Sequence, residues 1–95
     1  MGRTLVAQSE YRDLVKRHEA VTSLINRAAA DITETEQRAA GATPAMASRL
    51  TLQLVNKRKF LGILETRLSV LAAELSEHER EQEAILRRLS GRHLP

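Results

Sequence analysis

Cysteine is absent from this chain, tryptophan too, and tyrosine and phenylalanine occur once each. Without cysteine there are no disulfides and no thiolate metal sites, a usage compatible with a reducing compartment. With 2% aromatic residues, any core must be built from Leu, Ile, Val and Ala, a palette that suits helix packing better than sandwiches or barrels. Four glycines and two prolines in 95 residues leave little punctuation for many short elements. No apolar run approaches the ~18 residues of a membrane span. The opening Met-Gly-Arg-Thr-Leu-Val lacks the apolar centre of a signal peptide, and Val6 stands where a myristoylation motif wants Ser or Thr. A soluble, cytoplasmic protein with no membrane partner is expected. The length suffices for one domain.

What is present is heptad spacing. Leu50, Leu54, Leu61, Leu64, Leu68, Leu71 and Leu75 recur at steps of about three and four, on one side of a helix, with Lys57 at the position where a leucine is missing. Upstream, Ala7, Tyr11, Leu14, His18, Val21, Ile25, Ala28 and Ile32 keep the same rhythm, continued by Thr35 and Ala39, and Val15 and Leu24 flank the stripe. Asp13–Arg17 and Glu34–Arg38 are acid-first pairs four residues apart, worth about 0.3 kcal/mol each.

Between the stripes lies Ala39-Ala40-Gly41-Ala42-Thr43-Pro44-Ala45. Gly41 suits a left-handed helix stop, Thr43 a cap and Pro44 a first helical position. So short a connection makes the helices antiparallel neighbours. The expected fold is all-α: a two-helix antiparallel coiled-coil hairpin over residues 4–90, completed by oligomerisation or a partner helix. Helix 1 covers about 4–40, opened by Thr4 or Ser9; the turn is 41–43; helix 2 covers about 44–90, stopped by Ser90-Gly91, with 91–95 a tail. Pairing about the turn makes facing residue numbers sum to roughly 85. Ile25 then faces Phe60, Leu14 faces Leu71, and Ala28 leaves room for the Lys57 stem while its ammonium reaches water. Helix 1 runs out near Gln82, beyond which helix 2 overhangs or bends. In this layout — small size, the Gly41–Pro44 turn, an apolar second helix from Leu50 to Leu75 — the chain resembles the small hairpin cochaperones of bacterial type III secretion.

Helix 2 is apolar on a second side. Leu52, Ile63 and Val70, flanked by Val55 and Phe60, fall nearly opposite the leucine stripe. Burying each of three such side chains contributes about 1.5–3 kcal/mol, an incentive to associate. These five are the candidate partner-binding residues, for a second copy or for a partner's amphipathic helix. The blander reading is scattered exposed apolar residues.

Other chemistry is sparse. G-x-S-x-G, HExxH and phosphate-binding glycine loops are missing; His78-Glu79 begins a metal-helix motif that Gln82 leaves unfinished. A hairpin is a ridge with little interior, so neither catalysis nor a small-molecule substrate, metal or cofactor is expected. His18 reads as a seam histidine before a pH switch, and it does not face His78. The third histidine is His93. Net charge +3 and a pI near 10.0 raise nucleic acid as an alternative partner, with phosphate contacts from Arg49, Lys57, Arg58 and Lys59. The three consecutive charges diverge around the helix, however, and stacking aromatics are lacking. The acidic cluster Glu74, Glu77, Glu79, Glu81 and Glu83 reads first as a solvated helix end, with Glu83–Arg87 pairing. The preferred function is a non-enzymatic adaptor or small chaperone-like protein. The alternatives are the nucleic-acid hairpin and a purely structural oligomerising coiled coil.

Overall fold

A computed structural model describes the backbone from Gly2 to Arg92 and side chains from Gln8 to Gly91; His93 and the end of the expected tail lie outside the described residues. Two helices, α1 (Gly2–Ala40) and α2 (Pro44–Arg92), pack side by side as an antiparallel hairpin. There is no strand among the described residues. The molecule extends 77 × 24 × 15 Å, one layer of helices thick, and its length matches the about 74 Å of 49 helical residues. Both helices run longer than expected. α1 is already helical at Gly2, so neither Thr4 nor Ser9 caps it, and α2 continues through Gly91 to Arg92. Helical hydrogen bonding thus overrides the glycine, whose cost in a helix is only about 1 kcal/mol.

The turn keeps its expected start signal and loses its expected stop. The Thr43 hydroxyl accepts a hydrogen bond from the Met46 amide at 3.4 Å, and its carbonyl accepts from Ala47 at 2.8 Å. Thr43 is therefore the cap and Pro44 the first helical residue, where a missing N–H costs nothing. Gly41, by contrast, has no positive φ. The chain reverses through a three-residue turn in which the Ala42 amide donates to the Ala39 carbonyl at 3.3 Å, a tightening that needs no left-handed residue.

The seam is the one the heptads specify. Val21 and Ile32 of α1 and Leu50, Leu54, Leu64 and Leu71 of α2 are buried. Leu14, Ile25, Leu61, Leu68 and Leu75 are half-buried. No residue beyond Val21 and Leu71 toward the free end is buried among the described residues; there the seam is filled by Tyr11, Leu14, His18, Leu75 and His78, all half-buried. Every residue of α2 from Glu79 to Gly91 is exposed. Hydroxyl residues sit inside both helices without orphaned groups: Thr22, Thr33, Thr51 and Thr66 among others donate to the carbonyl four residues back.

Near the turn the pairing keeps the expected sum, with Ala28 beside Lys57 at 85 and Leu24 beside Phe60 at 84, while polar side-chain tips meet at higher sums because helical side chains lean toward their own N-termini. Side chains that touch sum to 88 for Asp31–Lys57 and Glu10–His78, 90 for Tyr11–Glu79 and 94 for Glu36–Arg58. Phe60 is half in solvent because it stands beside the Leu61–Leu64 stripe and not on it, so its expected partnership with Ile25 is not a core contact. Ala28 does lie beside Lys57, both lining one shallow cavity. The Lys57 ammonium, though, is taken by protein: it donates to Asp31 Oδ2 at 2.9 Å and to the Thr35 hydroxyl at 2.8 Å. The reason is direction. Helical side chains lean toward their own N-terminus, so the Lys57 stem runs toward the turn and delivers its charge about one turn past Ala28.

Candidate helix-docking surface

The five candidate partner-binding residues are all solvent-facing. Leu52 is 70% exposed, Ile63 61%, Val70 53%, Phe60 52% and Val55 44%. At 100° per residue, Leu52, Ile63 and Val70 point within about 20° of one another, while Val55 and Phe60 stand about 140° apart on either flank. The band is therefore a wide strip down α2. Leu52 lies about 16 Å along the axis from Ile63, so the dense part of the strip is Phe60, Ile63 and Val70.

α1 extends that part. Leu24, itself 44% exposed, shares a shallow apolar depression with Phe60, Ala28 and the Lys57 stem. Val70 shares another with Ala20, Arg17 and Arg67. A third depression, lined by Lys59, Gly62, Ile63 and Thr66, opens on the outer side of α2. A Cβ built on Gly62 meets nothing within 4 Å, so the backbone there is open to close approach. Sequence reading placed Leu24 only as a flank of the α1 stripe. Met46, Ile85, Leu86 and Leu89 are further exposed apolar side chains. The last three continue the α2 stripe by spacing, and Leu86 lines a depression with Gln8, Tyr11 and Arg12 of α1.

The basic run is divided by its surroundings. Lys57 is committed to Asp31 and Thr35, and Arg58 donates to Glu36 Oε1 at 3.1 Å. Lys59 and Arg49 are exposed and form no ion pair among the described residues. The four candidate phosphate contacts are thus not gathered on one face. Of the expected helical pairs, Glu34–Arg38 closes at 2.8 Å, whereas Asp13–Arg17 and Glu83–Arg87 do not.

At the free end the Tyr11 hydroxyl donates to Glu79 Oε1 at 3.4 Å, and its ring lies 6.1 Å from His78. His78 Nε2 is 3.6 Å from Glu10, and Nδ1 is buried without a partner. His18 lies eight residues from Glu10, about 12 Å along α1, so the two histidines do not share a site. No group of three or more His, Asp or Glu residues among the described ones is arranged to hold a metal ion. No helix among them is long and apolar enough to cross a membrane.

What the arrangement can do is bury apolar surface against another helix, with arginines and a backbone opening at its margins. Comparison with known families, curated proteins and solved structures finds no match to this chain.

Proposed function

We propose that this hairpin is a non-enzymatic helix-docking protein, an adaptor or small chaperone-like module that covers an amphipathic helix with the second apolar face of α2. The observation that carries the reading is the strip Phe60, Ile63 and Val70, more than half exposed on a helix whose other side already fills the intramolecular seam. A helix apolar on two sides needs two neighbours, and the chain supplies one. The single-layer shape adds to this, since stable domains pack at least two layers around a core.

The test is Ile63→Asp. Ile63 makes no seam contribution, so the variant keeps its helical circular dichroism and its monomeric fold. A charge at the centre of the strip abolishes association, read by sedimentation velocity. A variant that associates as strongly as the unmodified protein removes the docking face from α2.

A further inference from the structure

Charge along one side of the hairpin is sorted by position. On α1, Glu10, Asp13, Arg17, Ala20, Leu24 and Arg27 advance by alternating steps of three and four, one stripe beside the seam. On α2, Phe60, Ile63, Arg67, Val70 and then Glu74, Glu77 and Glu81 do the same. Shared depressions show that the stripes flank the same groove: Leu24 and Arg27 with Phe60, Arg17 and Ala20 with Arg67 and Val70, Glu10 and Asp13 with Glu74, Glu77 and Glu81; Ile63 stands at its outer margin, in a depression lined by α2 residues alone. The half near the turn is apolar and edged by Arg17, Arg27 and Arg67. The half near the free ends carries five carboxylates.

We infer that this side is the interface of an antiparallel homodimer, in which a second copy turned end for end lays its acidic half on the first copy's basic, apolar half. The inference rests on the docking reading of Ile63 and Val70 and names the occupant. Away from Arg17, which lies level with Val70 and Leu71 and so beside its own copy, the surface is complementary to itself under a two-fold axis, the symmetry of most homodimers. With the axis passing α2 between Val70 and Leu71, Arg67 of each copy meets Glu74 of its partner. The Val70 side chains come together at the centre, and Phe60 and Ile63 lie under the methylenes of the partner's Glu77 and Glu81. A parallel copy would set carboxylates against carboxylates, an arrangement electrostatics opposes. The size is adequate. From Phe60 to Glu81 the stripe runs about 32 Å; across the 24 Å width of the hairpin this gives a footprint of about 770 Å², close to the roughly 800 Å² per partner of a standard interface. The product is a four-helix bundle.

The experiment is molar mass by light scattering and sedimentation equilibrium, at low and high salt, for the unmodified protein, Arg67→Glu, Glu74→Arg and the double variant. Both residues are exposed and form no ion pair among the described residues, so all variants fold. The expected mass is twice the 10.6 kDa of one chain, with association weakening as salt rises. Each single reversal weakens it about tenfold or more, and the double variant recovers it, since the reversed charges meet again across the axis. A monomer at every concentration overturns the homodimer. So does a dimer in which the double variant behaves as the sum of two losses. Ile63→Asp separates the two levels: a dimer broken by Ile63→Asp but indifferent to residues 67 and 74 keeps the docking face and removes the antiparallel pairing. A dimer indifferent to all of them removes the face as well.

Discussion

Lys57 is a cation standing in a leucine's place, and its neighbours decide whether the hairpin tolerates it. Thr35 is only 3% exposed. Its hydroxyl donates to the Asp31 carbonyl and accepts from Lys57 Nζ, both at 2.8 Å, while Asp31 supplies the countercharge at 2.9 Å. Two of the three ammonium protons are thus satisfied by protein, and 31% side-chain exposure leaves the third to water. A polar group at one seam position stabilises little and specifies much: any slide of α1 along α2 strands it. Thr35→Val keeps the shape and deletes the acceptor, and is expected to lower unfolding free energy by about 1 kcal/mol. Adding Lys57→Leu removes the other partner and restores stability to the unmodified level or above. Urea denaturation of the three variants checks this; a Thr35→Val protein as stable as the parent shows that the node contributes nothing.

Each helix is fixed by its apolar period, and its ends by local chemistry, to different degrees. The turn illustrates the second. Gly41 has neither a positive φ nor any atom within 4 Å of an added Cβ, and Gly62, in mid-helix, is equally open. Neither glycine is required by the fold of the single hairpin. Gly41→Ala is expected to raise stability by about 0.4–1 kcal/mol by narrowing the unfolded ensemble, and Gly62→Ala by about 1 kcal/mol through helix propensity. Thermal unfolding of both, compared with the parent, is the measurement, and a destabilised Gly41→Ala would mean that the turn depends on glycine after all. These positions also mark what sequence could and could not reveal. The α2 leucine stripe was legible because spacing alone puts Leu50 through Leu75 on one side, and all its leucines enter the seam. Thr43 and Pro44 were legible because capping is local. The exposure of Leu52, Ile63 and Val70 followed from there being only two helices to cover two sides. The register was legible near the short turn, where Ala28 does lie beside Lys57, but the reach of long polar side chains was not. The Asp31–Thr35–Lys57 node, which depends on where the Lys57 stem leans, was therefore out of reach. Gly41 misled because its most frequent role at a helix end is not the one the three-residue turn demands.

At the scale of the molecule the governing fact is thinness. A hairpin 15 Å deep has one seam. Among the described residues no side chain is completely enclosed, the least exposed apolar one being Leu64 at 4%. The seam also loosens toward the free end, where Tyr11, His18 and His78 replace aliphatic residues. Chains this short bury a small fraction of their surface, so a second source of burial is expected to contribute to the folded state. If that source is a second copy, folding and association are one equilibrium, and stability depends on protein concentration by mass action. Raising the concentration tenfold then adds about 1.4 kcal/mol per dimer. For a folding unit of two such chains this moves the melting temperature up by about 3–6 °C. Circular dichroism melts over two decades of concentration measure it. A rising series that flattens in Ile63→Asp ties the stability of the whole molecule to the outer strip of α2. A melting temperature independent of concentration in the parent shows that the leucine seam alone holds the hairpin, and that any helix docked on the strip is a client rather than part of the fold.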